Sequence, residues 1–558
     1  MADFGEILRS IGEFGLFQQL ILFALCFPNV FQSFVMASFL FIQSDPERHC
    51  NTDWILRTDP NLTTDEQLNL TLPREEDGTF SKCRMFVPVD WNISDIREYG
   101  LNETTLCQNG WEYYNTMYTA TIFDLVCDKA SWVEMIQAVF VAGALVGSLL
   151  LGPFAESFGR KRAIQISAVI SPIFIVTTAF CPNVYLYLAS QFMVGFGSGA
   201  YLVNSIILCT EWIGPSKRSW GACLTQLCAA IGQCIVAGVI YAVRNWRLAQ
   251  LITAAPSVVA LLYIWFIPES ARWLLSRGRT EEAKQLIVKV AAVNKCTVPD
   301  SLLEKVLTFH LFFFYLFIHF TGSSVLIKYF LIMTLYPSSV FFVFKHRFSL
   351  NLSMLGLYFN IENIGLNIFL TQLLFGAIEI PAHVLCIWLL EVLGRKILLT
   401  TTLLSGGLFS MLILAVPGGN GHGTVCQNGI IMFSALFLRG CEILFFYLSF
   451  FSGYGMGATS LAVVARFFLT SASSVCNVFI QELFPTSVRQ TATALGALLG
   501  RSGALVAPLL NILAMYHWVI PITIFGSITI VGGALSFLLP ETRRTELPDS
   551  TEEAVNKR

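Results

Sequence analysis

Three short motifs occur twice in this chain, in the same order, and that repetition limits the fold more than any other feature. FGRKR at 158–162 returns as LGRK at 393–396, TEWIGPSKR at 210–218 as QELFPTSVR at 481–489, and PESAR at 268–272 as PETRR at 540–544. The motifs lie among apolar segments of the length a bilayer span needs, ~20 residues. Composition agrees: 55% of residues are hydrophobic and 13% charged, whereas a soluble domain carries roughly 25% charged residues. The pattern predicts an all-α membrane protein made of a duplicated unit, two six-helix bundles with 12 transmembrane helices. Two bundles related by an axis along the membrane normal, with a central site opening to either side, suit a transporter.

The start, MADFGEILRSIGEFG, carries acids and no basic n-region, so it does not read as a cleaved signal peptide. Residues 1–16 are expected to form a cytoplasmic amphipathic segment, followed by an N-terminal bundle over 17–270. Its first span is placed at about 17–43, and the others at about 132–154, 163–181, 184–208, 219–242 and 247–267. Between the first two spans, 44–130 is polar, with sixteen acids against seven Lys and Arg. It holds four sequons, at Asn61, Asn69, Asn92 and Asn102, and four cysteines, Cys50, Cys83, Cys107 and Cys127. Sequons beside an even cysteine count predict a glycosylated, disulfide-bonded extracellular loop, with three pairings open. The remaining cysteines are scattered through apolar segments and read as packing residues.

Basic residues gather on the opposite side: Arg160, Lys161 and Arg162, then Arg272, Arg277, Arg279, Lys284 and Lys289. That excess marks the cytoplasmic face and puts both termini inside. Residues 271–308 form the expected cytoplasmic linker, with one charged amphipathic helix over 271–295. The C-terminal bundle takes 309–540 and a polar tail 541–558.

The repeat also exposes an irregularity. Glu211 to Pro268 is 57 residues and Glu482 to Pro540 is 58, but Gly159 to Glu211 is 52 and Gly394 to Glu482 is 88. The excess falls near 420–457. A second unusual run, 306–348, holds eleven of the 47 Phe and ends in Lys345, His346 and Arg347. One added crossing at 420–457 would invert everything after it. That segment is therefore expected to be re-entrant, to lie on the surface, or to be missing from the mature protein.

One charge stands inside an otherwise Gly- and Ala-rich span. Arg501 lies a dozen residues past Arg489, and a guanidinium at that depth costs roughly 2.5–3.5 kcal/mol on insertion scales. Such a residue faces a polar cavity or a partner. At the inner ends, the motif residues Glu156, Gly159, Arg160, Glu211, Arg218, Glu269 and Arg272 are set against Gly394, Arg395, Glu482, Arg489 and Glu541 in the second copy. These are expected to hold neighbouring helices together and to gate. The chain has no phosphate-binding Gly-Lys loop, no metal ligands at sensible spacing and no nucleophile constellation. It reads as no enzyme, with no catalytic residue, no metal and no cofactor, and the net charge of −2 offers nothing for nucleic acid.

GWEY at 110–113, GPFAESFGRKR, TEWIGPSKR, PESARWLLSRGR, GLNIFLTQLLFGAIEIPA at 365–382, ELFPTSVRQTATALG and LLPET together resemble the solute carrier 22 family of organic ion transporters, within the major facilitator superfamily. The similarity covers roughly 1–305, 349–418 and 459–548, and its details are most like the organic anion branch. Departures are visible: the family's Asp-Arg-Phe-Gly-Arg is here Glu156-Ser157-Phe158-Gly159-Arg160. Met354 and Leu355 stand where the family has an aromatic pair. The segments 306–348 and 420–457 are out of pattern, as intron-derived translation would be.

The resemblance implies plasma-membrane transport of small organic anions such as monocarboxylates, nicotinate or urate, by alternating access and exchange with a counter-anion. Arg501 falls where the anion branch has Arg and the cation branch Asp. Arg466 falls at a basic position, Ser474 where the cation branch has Glu, and His383 where some anion carriers have Lys or Arg. Asn29, Gln32 and Gln233 are polar groups in spans of the first half that could line the same cavity. Each alone is ordinarily a packing residue. The alternatives are an organic cation or carnitine carrier, disfavoured by the lack of acids at 474 and 501, and an inactive product of a mis-spliced gene.

Overall fold

A computed structural model describes residues 4–36, 39, 48–75, 78–113, 123, 125–213, 218–243, 245–299, 301, 337–359, 368–415, 454–484, 489–517, 519–539 and 541. Most of the two irregular segments, 306–336 and 420–453, and the tail 542–558 lie outside the described residues. The chain divides into a membrane body (Met1–Leu40, Glu134–Val243, Arg247–Arg558) and a loop unit (Phe41–Val133, Arg244–Trp246).

The body opens with α1 (Phe4–Ser10) and α2 (Leu16–Gln32). The loop unit follows with β1 (Arg48–Cys50), α3 (Thr64–Thr71), β2 (Arg84–Phe86), α4 (Ile93–Tyr99), β3 (Thr104–Leu106) and β4 (Trp111–Tyr113). The first half of the body continues through α5 (Ser131–Phe158), α6 (Arg160–Ala179), α7 (Val184–Trp212), α8 (Arg218–Ala242) and α9 (Trp246–Ile264). Two short helices, α10 (Ala271–Ser276) and α11 (Thr280–Val293), lead towards the second half. That half comprises α12 (Pro337–Phe359), α13 (Ile368–Leu393), α14 (Arg395–Leu412), α15 (Tyr454–Leu483), α16 (Arg489–Asn511) and α17 (Val519–Leu535). Ten helical stretches among the described residues are long and apolar enough to cross a bilayer. With α12 and α14 they make two sets of six.

The repetition extends to backbone packing. Gly232 on α8 stands 21 residues after Glu211, and Gly503 on α16 stands 21 after Glu482. A Cβ at Gly232 would meet the Val30 carbonyl of α2 at 2.0 Å, and one at Gly503 the Phe348 carbonyl of α12 at 2.4 Å. Only glycine lets these backbones approach so closely, as small residues do at helix contacts in membranes. Helix α2 is interrupted by Pro28, whose missing N–H leaves a carbonyl one turn earlier without its usual donor. The Tyr263 hydroxyl donates to that carbonyl, on Ala24, at 3.1 Å.

At the amino terminus Ile7, Leu8 and Ile11 are buried with Trp212, Leu274 and Ile287. Asn294, at the end of α11, ties this segment down. Its amide donates to the Ile11 carbonyl at 2.7 Å and to Gln18 Oε1 at 2.9 Å, and its Oδ1 accepts from the Phe17 N–H at 2.8 Å. The single helix expected over 271–295 is instead two. Ser270 Oγ caps α10 by accepting from the Trp273 N–H at 3.2 Å, and Gly278 follows at φ +72°, a left-handed turn that ends a helix and favours glycine.

Residues 337–348, the end of the first irregular run, form the first half of α12 and pack into the second bundle. His346 is buried, with Nε2 2.6 Å from Ser536 Oγ, and Arg347 donates to Asn477 Oδ1. The basic triplet therefore lies within a helix rather than closing a segment.

In the loop unit β1 pairs antiparallel with β4, and β2 with β3. Thr63 and Glu66 form a reciprocal capping box on α3. Of the three open pairings, the structure has Cys50–Cys107 and Cys83–Cys127. The core around them is small: Leu68, Leu72 and Met85 are buried with Cys50. A unit with so little apolar interior relies on such cross-links.

Candidate functional site

Gly159 sits at φ +110° between α5 and α6, and Gly394 at φ +87° between α13 and α14. Each turn delivers a helix N-terminus to a glutamate from a later motif. Glu269 accepts from the backbone N–H of Arg160 at 3.0 Å and of Lys161 at 3.2 Å. Glu541 accepts from Arg395 at 3.0 Å and Lys396 at 3.1 Å. A carboxylate at this position satisfies free donors and the positive end of the helix dipole. Burial lifts the Glu269 carboxyl above its ordinary value, while the N–H groups of Ser270, Lys161 and Arg160 and the Arg160 charge pull it back.

The arginine after each glycine also repeats. Arg160 Nη1 donates to the Ala155 carbonyl at 3.0 Å, and Arg395 Nη1 to the Leu390 carbonyl at 3.1 Å. Arg160 Nε reaches Glu211 at 3.3 Å with both side chains buried. The Glu156 carbonyl accepts from Trp273 Nε1 at 2.8 Å and Arg277 at 2.5 Å, both from the PESARWLLSRGR stretch. Arg272 is half-buried on α10. Arg218, Glu482 and Arg489 belong to helices, but their side chains lie outside the described residues.

A second constellation lies within the spans. Arg501 on α16 reaches across to the first half, donating to the carbonyls of Ala144 on α5 at 2.5 Å and Gly199 on α7 at 2.6 Å. It makes no ion pair among the described residues. Arg466 on α15 is buried and differs: it pairs with Glu379 on α13 at 2.5 Å, donates to the Met354 carbonyl at 3.0 Å, and lies 5.7 Å from the centre of the Phe375 ring. Arg466, expected at a basic position of the site, thus has its charge paired with Glu379.

His383 and Ser474 come together, and Ser474 brings a neighbour that the sequence did not single out. His383 Nδ1 lies 2.8 Å from Ser474 Oγ, which donates to Gln226 Oε1 on α8 at 3.0 Å. Gln233 Nε2 donates to Gln372 Oε1 at 3.0 Å. Gln372, Glu379 and His383 are spaced by seven and four residues on α13, and Gln226 and Gln233 by seven on α8. These intervals put each set on one helix face. The two halves thus meet along α8, α13 and α15 through uncharged hydrogen bonds, with the Arg466–Glu379 pair beside them.

Not every expected residue joins this group. Asn29 is buried, and its amide donates to the Leu25 carbonyl of its own helix at 3.2 Å, a packing role beside the proline. Gln32 is half-buried at the end of α2. In the loop unit Asn61, Asn69, Asn92 and Asn102 are all exposed.

Comparison with known proteins places this arrangement. Residues 91–310 match the family described as "Sugar (and other) transporter". The chain is 34% identical over 560 residues to Solute carrier family 22 member 13 of Homo sapiens, covering 99% of this chain and 93% of that protein. It is 33% identical to Solute carrier family 22 member 14 of Homo sapiens, over 98% of this chain and 87% of that one. Among solved structures, the proton:xylose symporter XylE aligns with TM-score 0.59 at 16% identity, over 96% of this chain and 99% of that chain. An inward-open form of XylE from E. coli gives TM-score 0.53 at 18% identity, over 79% and 93%.

The fold is therefore that of the major facilitator superfamily, and the protein is a multi-pass membrane transporter of small molecules. Within that class the chain belongs to solute carrier family 22, whose members are secondary transporters of organic ions and not enzymes.

Proposed function

We propose that this chain exchanges small organic anions, of the monocarboxylate, nicotinate or urate type, across the plasma membrane, with Arg501 as the group that selects charge. The observation that carries this reading is the contrast between two arginines. Glu379 neutralises Arg466, whereas Arg501, among the described residues, donates to the carbonyls of Ala144 and Gly199 and to no acid. An entering carboxylate offers the Arg501 guanidinium two charged acceptors in place of two neutral ones, in a planar fork geometry that arginine matches. Taking the guanidinium also releases a bond between the halves, which then rock to expose the site on the other side. A counter-anion completes the return. His383, Ser474, Gln233 and their neighbours supply the uncharged hydrogen bonds that distinguish one anion from another. Both termini lie in the cytoplasm and the glycosylated loop faces outside, as the basic residues around Arg160 and Arg277 support.

The test is uptake of labelled nicotinate and urate, normalised to surface protein. An unpaired buried charge costs roughly 2–5 kcal/mol, so Arg501→Ala should lower apparent affinity by about tenfold or more, and Arg501→Lys should retain part of the activity. Unchanged uptake in Arg501→Ala would leave the guanidinium a structural tie alone.

A further inference from the structure

We propose that a cleft at the rim of the first half binds the phosphate headgroup of an anionic phospholipid. The cleft lies where α6 begins and α10 and α11 fold against it, and it encloses about 320 Å³. All its lining residues come from 158–162 and 269–289. It therefore shares nothing with the seam between the halves.

Four cations face this space, Lys161, Arg162, Arg279 and Lys289, together with two carboxylates, Glu269 and Glu282. Both carboxylates are already engaged. Glu269 accepts from the backbone N–H groups of Arg160, Lys161 and Ser270. Glu282 takes two bonds from Arg279, at 2.8 and 2.6 Å. Because Glu269 occupies the α6 N-terminus, the helix end is not what draws an anion. Lys161, Arg162 and Lys289 remain, with no acidic partner among the described residues. Three such cations around one cleft call for a multivalent anion with several oxygens, which phosphate esters supply.

The wall selects the source of that phosphate. Phe158, 53% exposed, stands at the cleft with Leu286 and Trp273. An aromatic left open beside cations, at the inner end of a span, fits a ligand that brings both a headgroup and acyl chains. Clustered Lys and Arg at such a level are attracted to anionic lipid. The lipid source rests on the cytoplasmic orientation proposed above; the cleft and its charges do not.

The experiment uses the full-length chain in phosphatidylcholine nanodiscs, which leave both faces open, so that an inverted topology would not hide the site. A fluorescent short-chain phosphatidylinositol bisphosphate is titrated in, with inositol trisphosphate and phosphatidylcholine as competitors. Saturable binding is expected, weakened at least tenfold in the Arg162→Gln, Lys289→Gln double variant. Lys284→Gln, on the same helix but outside the cleft, should bind as the unsubstituted chain does. No saturable binding, or a double variant within twofold of the unsubstituted chain, would overturn the site. Inositol trisphosphate competing as tightly as the lipid would overturn the lipid assignment in favour of a soluble phosphate.

Discussion

In the first half of the body Glu269 caps α6 and Arg160 folds back on Ala155; in the second Glu541 caps α14 and Arg395 folds back on Leu390. The same two halves part company within the spans. Sixteen residues before Glu211 stands Gly195 and nineteen after it Ala230, whereas the same steps from Glu482 reach Arg466 and Arg501. The difference teaches that the duplicated frame is kept where helices must be tied together, and that at these two positions within the spans the charge stands in the second half alone. On the reading proposed above, a substrate between such halves would meet a cation from one and backbone carbonyls and amides from the other.

The sharpest way to break this comparison is to remove the acid that only the second half needs. Stripping one partner from a buried ion pair costs roughly 3–5 kcal/mol, so Glu379→Gln should sharply reduce the yield of monodisperse protein in size-exclusion chromatography. Pairing it with Arg466→Met should restore much of that yield. A Glu379→Gln protein that is as stable as the unsubstituted chain would show that Arg466 is held by other means.

A smaller effect should be shared by both halves. Adding side chains to tight contacts typically costs about 1–3 kcal/mol. Gly232→Ala and Gly503→Ala should each lower the thermal unfolding midpoint, and by similar amounts, since each Cβ would meet a carbonyl oxygen. Damage from only one of them would mean that the packing is less duplicated than the motifs. Smallest are the caps. Glu269→Gln and Glu541→Gln remove a charged acceptor from a helix N-terminus, a change worth roughly 0.5–2 kcal/mol. Glu269 should stand at the upper end because it also accepts from the Ser270 N–H, while Glu541 is exposed. Equal losses in a denaturation series would remove that distinction.

The residues of the caps stand out in the sequence because glycine, arginine and glutamate recur in a fixed order, and a repeated set carries information that a single loop does not; that the glutamates accept from helix N-termini is visible only in the fold. Arg501 and Arg466 were legible as charges in apolar surroundings. Glu379 was missed although it lies inside a quoted motif. The signal was available: an acid within a span needs a cation, and Arg466 was already in view. Gln226 and Gln372 gave less warning, since a lone amide in a helix is ordinary and only the partner helix shows what it meets. The break at Gly278 follows from one positive φ, which a charged amphipathic pattern conceals. Disulfide pairing was out of reach, because four cysteines leave three solutions and strand neighbours alone do not choose among them: Cys50 stands opposite Trp111, not its partner Cys107.

The two glycine contacts have a mechanical consequence. Where Gly232 touches Val30, and Gly503 touches Phe348, main chain lies against main chain with no side chain between them to flex. Neither pair can part or slide without opening a void, so α2 with α8, and α12 with α16, behave as stiff blades. Flexing is then left to the joint between the halves, where α8 meets α13 through Gln233 and Gln372 and meets α15 through Gln226 and Ser474. Amide and hydroxyl groups exchange such bonds for water with little net change in free energy. A seam made this way works as a lubricated bearing between two rigid jaws, and in the proposed mechanism Arg501 is the latch that an anion lifts.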